Sequence, residues 1–408
     1  MRKGYLGAIL AVAGFVTATA TQAAVHRVYP GDSIQAAIDI AAPGDTVLVE
    51  PGVYQEVGNG RYGLRIQEDN IRLIGKVKKG RGDAGKVRLI QNQDQETGVY
   101  AAPSDCDYDV KDDTEEGQDC RSRELQGFYI RGFSVEEFPV NGIQTRWVNG
   151  FEFVRNASVN NLNNGIYPTL SANGLVRNNE SYGSLDTAMW VAGSENVRVI
   201  GNKLHSSVIG FEITVSNEVH VTQNEMYNNV VGVGLFHPNG AGNPPLPVMA
   251  NWVIEHNDIY DNNLAPNPAP PGTFQGLLPS GIGVLAAGVS DHVIAKNNVE
   301  DNDYVGIALL GWCTALEGSP RACDFNKPDL GLRWPPQANN NRISQNYLSD
   351  NGNGGGGPLP PVDLLYGQPI EQVLGLDTSG NCFEKNKPKN GFTAFSFEAD
   401  GELPTDGC

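Results

Sequence analysis

The sequence predicts an all-β solenoid forming one long domain. Three observations lead there: a unit of about 22 residues recurs, each unit holds short runs alternating apolar with polar residues, and the runs are punctuated by Gly and Asn without a long helix. The clearest copies lie between Asn196 and Asn229. There Val197 and Val199 lead to Asn202 and then Leu204, while Val219 and Val221 lead to Asn224 and then Met226.

In chain order, Met1, Arg2 and Lys3 precede an uncharged run from Leu6 to Val16 and small residues up to Ala24. This pattern predicts a secretory signal peptide over residues 1–23 and a mature domain over 24–408. The apolar run is too short to span a bilayer, and no later stretch is apolar enough, so a soluble periplasmic or secreted protein without membrane insertion is expected. Loss of Arg2 and Lys3 takes the net charge from −18 to −20. That balance argues against nucleic acid and anionic membranes, and any anionic substrate would need a local cationic cluster. Six Cys in an oxidising compartment predict disulfides. Fifteen connectivities exist, of which neighbour pairing gives Cys106 with Cys120, Cys313 with Cys323, and Cys382 with Cys408.

Val25 to Tyr29 reads as a strand and Pro30, Gly31, Asp32 as a turn. Asp32 and Gln35 fit a helix N-cap and its partner, and Ile34, Ala37, Ile38 and Ala41 share one helical face. This short helix is expected to cover the open end of the strand stack. From Leu64 onward an Asn is followed five residues later by a second Asn at 156/161, 224/229, 257/262, 297/302, 346/351 and 381/386, with Asn178/Gly183 and Asn202/Ser207 as weaker copies. Asn tolerates left-handed turns, and stacked amides can bond from coil to coil. Asn156 is therefore read as a ladder residue rather than a glycosylation site.

The repeat, together with SIQAAIDIAAPGDTVLVEPGVY at Ser33 to Tyr54, resembles exported bacterial right-handed parallel β-helix proteins of the pectin-lyase-like superfamily. That resemblance implies a single right-handed parallel β-helix with a short N-terminal capping helix. For activity it implies less, because that superfamily contains pectate and pectin lyases, polygalacturonases, uronan epimerases, a periplasmic copper-accessory branch and many members without known activity. The chain lacks the Asp-Pro-His-Asp signature of alginate epimerases, the paired-Asp pattern of polygalacturonases and the Arg-Xaa-Pro-Xaa-Xaa-Arg pattern of pectate lyases.

Inward residues of a solenoid make the core, so function falls to outward side chains and inserted loops. Aligning the units gives an outward column of Gln144 and Arg146, Tyr167, Trp190, Glu212 and Thr214, then Phe236 beside His237. Aromatic faces hold sugar rings, Arg clamps carboxylates, and Glu or His moves protons. Arg146, Tyr167, Glu212 and His237 are the catalytic candidates, and Trp190, Phe236, Trp312 and Trp334 the substrate-binding ones. A second column, His205, Tyr227, Tyr260 and Glu300, suits packing or a groove wall, and His292 falls inward. Loops at His237 to Val248, Leu264 to Pro279 and Trp312 to Asn339 interrupt late coils; the first and third are expected to overhang the aromatic column and to wall a cleft containing Trp312, Asp324, Asp329 and Trp334.

Asp105, Asp107, Asp109, Asp113 and Glu116 have the spacing of calcium ligands, although Val110 occupies the position that needs Gly. Calcium is the one cofactor this suggests, and the scattered His give copper little support. The expected function is action on, or binding of, an acidic polysaccharide, as a uronan lyase or C5-epimerase. The alternative is a non-catalytic glycan-binding or periplasmic accessory protein.

Overall fold

The computed structural model describes residues 23–57, 60–77, 86–237, 249–317, 335–354, 357, 360–388, 393–398 and 400–408. Residues 1–22 of the expected signal segment lie outside them. Three parallel sheets of 12, 11 and 11 strands run the length of the chain, each coil giving one strand to each sheet. One coil shows the order: Glu195–Ile200 in the first sheet, Lys203–His205 in the second and Ile209–Thr214 in the third. Asn217–Thr222 then returns to the first sheet beside Glu195–Ile200.

Alternation decides what each strand buries, because successive side chains point to opposite faces. Val197 stacks on Val219, Val199 on Val221, Leu204 on Met226 and Phe211 on Val233, all fully buried inside the coil. Ser158 and Ser181 occupy the inward column above Leu204, so that column is polar in the early coils. Their hydroxyls are satisfied there: Asn161 Nδ2 donates to Ser158 at 2.7 Å and Ser181 donates to the Ala188 carbonyl at 2.6 Å.

Two corners of the coil carry the Asn columns. At the first, the backbone N–H of Asn156 donates to the Asn179 side chain, and the pattern continues through Asn202, Asn224, Asn257, Asn297 and Asn346 to Asn386 at 2.8–3.1 Å. The steps are 23, 23, 22, 33, 40, 49 and 40 residues, so the four longer steps carry insertions that leave the ladder unbroken. Each amide also donates into the coil; Asn202 Nδ2 bonds the Val176 carbonyl at 3.0 Å and Asn224 Oδ1 at 2.9 Å.

This geometry corrects three expectations. The ladder member is Asn179 rather than Asn178, and Asn386 rather than Asn381, which belongs to the third corner below Asn341. The left-handed turn falls on the residue before the ladder Asn: Arg155, Asn178, Gly201, Gln223, His256, Lys296, Gln345 and Lys385. The ladder Asn is there for its buried amide, which satisfies two backbone groups that the corner would otherwise orphan. The N-terminal helix α1 (Ile34–Asp39) is present as expected, but its N-cap is Ser33, whose hydroxyl accepts from Ala36 N at 3.0 Å. Buried Glu56 reinforces that cap, accepting from Ile34 N at 2.6 Å.

The disulfides Cys106–Cys120 and Cys382–Cys408 are formed as expected. Cys313 is disulfide-bonded, and its expected partner Cys323 lies outside the described residues.

Replacing a ladder amide strands several buried backbone groups at once. Asn202→Ala is expected to lower the unfolding free energy by about 3 kcal/mol or more, measured by denaturant unfolding. A loss below about 1 kcal/mol contradicts the ladder as a stabilising feature.

Candidate functional site

The outer face of the third sheet carries the column expected from the sequence. Arg65, Tyr100, Gln144 and Tyr167 follow one another in register, Trp190 pairs with Glu212, and the Tyr167 and Trp190 rings are stacked at 4.6 Å. Trp190 Nε1 donates to Thr214 Oγ1 at 3.0 Å, which fixes the indole on the sheet. Below Glu212 the column changes character. Gly234 follows, and a Cβ there would meet the Phe236 ring at 2.5 Å, so the glycine lets that ring fold over the strand.

The face is walled at both ends. On the N-terminal side lies the acidic insertion of residues 102–124, containing α2 (Glu115–Ser122) and pinned by Cys106–Cys120. Tyr100 Oη donates to the Cys106 carbonyl at 2.8 Å, and Trp147 Nε1 to Asp112 at 3.1 Å. Arg146 donates to the carbonyls of Tyr108 and Val110 and lies over the Trp147 ring at 4.4 Å. Its guanidinium is therefore a fastener for the insertion, in contrast to the carboxylate clamp expected from sequence.

On the C-terminal side the loop Leu264 to Pro279 folds over the sheet. Its helix α3 (Phe274–Leu277) is capped by Thr273 and held by Asn267, whose Nδ2 donates to the Gln275 and Leu278 carbonyls at 2.8 and 3.0 Å. Phe274 meets Phe236 edge-on at 5.5 Å, so Phe236 is covered rather than open to a sugar. Gln275 Nε2 reaches Asp186 Oδ1 at 2.9 Å. Thus the second insertion overhangs the column. Of the first and third, residues 238–248 and 318–334 lie outside the described residues, as do Trp334, Asp324 and Asp329. Trp312 is buried where the third insertion leaves the sheet, with its backbone N–H donating to the Pro336 carbonyl at 2.8 Å.

Between the walls sit two carboxylates. Thr187 Oγ1 donates to Glu212 Oε2 at 2.7 Å and lies 3.3 Å from Asp186 Oδ1, so one hydroxyl bridges the pair. Glu212 is 6 % exposed and Asp186 8 %. Burial pushes Asp186 up to about 6, against the hydrogen bonds from Gln275 and Thr187. Burial and then the charge of Asp186 push Glu212 well above the usual carboxylate range. The neighbouring Tyr167 phenol is pushed up to about 12 by burial. Unequal environments sort two like acids into a proton donor and an anion, the arrangement general acid–base chemistry uses.

Asp186 and Gln275 are the members of this cluster that sequence reasoning missed. Asp186 lies in the turn before Thr187–Ala192, outside any alternating run, and Gln275 stands 89 residues away. One signal was available in the register. Asn141, Asn164 and Thr187 share a column with Ile209, Val231 and Ile282, and this switch from polar to apolar marks where the second insertion begins to cover the face.

Several expected site residues lie elsewhere. His237 is 6 % exposed at the corner after Val231–Phe236, edge-on to Trp252 at 4.9 Å and to His292 at 5.6 Å, so it faces a buried cluster rather than Glu212. Burial lowers His237 to about 4 and His292 well below its ordinary value. The column His205, Tyr227, Tyr260 is on the second sheet, its rings stacked at 4.7 and 5.3 Å with Tyr182 above, so the faces are used for packing.

The five acidic residues expected around calcium do not converge. Asp107 pairs with Arg65 at 3.1 Å and Asp109 with Arg61 at 3.1 Å, while Asp105, Asp113 and Glu116 are exposed. Opposite charges on the sheet draw these carboxylates apart.

Two titrations follow. Glu212 is raised in the fold, so the stability it brings is present below about 4.5 and lost as pH climbs toward its folded value. Glu212→Gln should melt higher than the wild type at pH 8 and show no gain at pH 4; equal differences at both contradict the buried acid. His237 is lowered, so its contribution is present above 6.5 and lost as pH falls toward about 4. His237→Gln should therefore lose less stability than the wild type over that interval.

A family model described as periplasmic copper-binding protein (NosD) matches residues 89–269. The donors do not fit copper: among the described residues no three His, Cys, Asp or Glu side chains are placed to hold a metal ion, and His237 and His292 meet edge-on as a pair without a third such side chain. No curated protein matches the chain. Among solved structures, the A-module of mannuronan C-5 epimerase AlgE4 from Azotobacter vinelandii is similar over 91 % of this chain and 93 % of its own, with TM-score 0.59 and 16 % identity. The AlgE6 A-module from the same organism covers 89 % and 92 %, with TM-score 0.53 and 17 % identity. DFA-IIIase from Arthrobacter chlorophenolicus A6 in complex with GF2 covers 89 % and 80 %, with TM-score 0.51 and 11 % identity. At these identities the likeness establishes the fold alone. A periplasmic or secreted location stands on the family match and the disulfides, and no helix among the described residues is long and apolar enough to cross a membrane. The chain is a right-handed parallel β-helix protein of the pectin-lyase-like fold.

Proposed function

We propose that the protein acts on a polysaccharide laid over Tyr167 and Trp190, through proton transfer by Glu212 and Asp186. The observation that carries this reading is the carboxylate pair, bridged by the Thr187 hydroxyl and buried beside two stacked rings. Aromatic faces take sugar rings through their C–H groups, and the unequal acids supply a donor and an acceptor within one site. The substrate class draws support from the titles of similar structures, a mannuronan C-5 epimerase and a DFA-IIIase bound to GF2.

On an acidic strand the finer reading is a uronan lyase or C5-epimerase. In elimination, Asp186 takes the proton at C5, the C4–O4 bond breaks with formation of a C4=C5 double bond, and Glu212 gives its proton to the departing oxygen. In epimerisation the bond to O4 stays, and the Tyr167 phenol, held protonated by burial, returns a proton to the opposite face of C5. Arg146 and His237 have no part in this scheme, because one is fastened to the insertion and the other is buried at the corner.

A second reading, a glycan-binding or periplasmic accessory protein without turnover, is favoured by the cover over the carboxylates and by the family description. Incubation with a panel of uronic-acid polysaccharides, followed by ultraviolet absorbance of unsaturated products and by proton exchange at C5, separates the two. The catalytic reading expects turnover with one of them, a fall of about a thousandfold in Glu212→Gln with binding retained, and loss of binding in Trp190→Ala. Binding without turnover supports the accessory reading, and no binding at all contradicts both.

A further inference from the structure

The second insertion touches the carboxylate pair through a single polar side chain. Gln275 donates to Asp186, while among the described residues Glu212 receives the Thr187 hydroxyl alone. The amide is not there by accident of a floppy loop: Asn267 ties the carbonyls on either side of it, Thr273 caps its helix, and Phe274 beside it is seated on Phe236. Two buried acids that share one hydroxyl would otherwise be near equivalents, each competing for the same proton.

We infer that Gln275 is the positioning residue that decides which acid carries the charge, holding Asp186 as the anion and leaving the proton on Glu212. This rests on the proposed acid–base role of the pair. It has a consequence for the insertion as a whole. Because the donor is borne by the loop, the pair is polarised only while residues 264–279 lie on the sheet. Lifting the loop to admit a glycan removes the amide from Asp186, and closing it restores the division between donor and acceptor. Among the described residues the other titratable group that feels the charges of the pair is Tyr167 on the neighbouring strand, and it does not donate to Asp186.

The test compares wild type with Gln275→Ala and Gln275→Glu. Protonation of Asp186 is followed by the infrared carboxyl band between pH 8 and 4, each protein referenced to the same protein carrying Asp186→Asn. The expected midpoint is about 6 in the wild type and higher in Gln275→Ala, since a donated hydrogen bond stabilises the anion. Gln275→Glu, which brings a second carboxylate, should raise it further. The acidic limb of any turnover profile should move by the same interval. Unchanged midpoints in folded variants, checked by an unaltered melting temperature of the solenoid, overturn the assignment. The infrared result does not depend on a substrate, so absence of turnover with every glycan tells against the proposed function and leaves the role of Gln275 decided by the band.

Discussion

The buried amide ladder at the first corner is the constraint on which everything else depends. A parallel stack gains its coherence from repetition: every coil must present the same corner at the same height, or the sheets on either side lose register together. Here an Asn side chain bonds an N–H and a carbonyl of the coil before it and the amide oxygen of the coil after it, so position is specified by direct hydrogen bonds rather than by apolar packing alone. Burial makes those bonds obligatory, since an unpaired amide in the core is costly. Insertions of different length can then leave the coil and return to the same rung, which they do between Asn224 and Asn257, Asn257 and Asn297, and Asn297 and Asn346.

That tolerance is what allows a site to be made on so regular a scaffold. The bare third sheet offers a flat face with one outward column per coil. Two excursions of chain turn it into a bounded one: the disulfide-pinned segment before Leu125–Arg131 and the loop after Asp258–Tyr260. The first is fastened by Arg146 on the Tyr108 and Val110 carbonyls and by ion pairs of Arg61 with Asp109 and Arg65 with Asp107, which engage two of the acidic residues that would otherwise invite a cation. The second uses an apolar seat, Phe274 on Phe236, with a single amide reaching the carboxylates. Burial beneath that loop raises both acids, and the Gln275 hydrogen bond to Asp186 together with the charge of Asp186 on Glu212 separates them in proton affinity.

Much of this was legible in the residues. Alternation and the Asn spacing are local signals, so the coils, the inward valines and the outward order of Tyr167, Trp190 and Glu212 followed from them. The ladder was misread by one residue at Asn178 because neighbouring Asn residues serve different needs, one for a left-handed backbone and one for its amide. The site was less accessible for a physical reason. Asp186 occupies a corner, where period-two alternation carries no information, and Gln275 is brought to it by tertiary packing of a loop. Arg146 and His237 have the chemistry a reader looks for, yet their partners, the Tyr108 and Val110 carbonyls and Trp252, lie in inserted or distant segments that no repeat alignment can place.

The central claim is that the face between the two insertions holds a sugar over Trp190 within reach of Glu212. Crystals of Glu212→Gln soaked with short uronic-acid oligosaccharides test it most directly. The account predicts a sugar ring stacked on the Tyr167–Trp190 pair, with an oxygen at the glycosidic linkage or C5 carboxylate in hydrogen-bond contact with the substituted side chain. A glycan bound on another sheet, with Trp190 unoccupied, would contradict it.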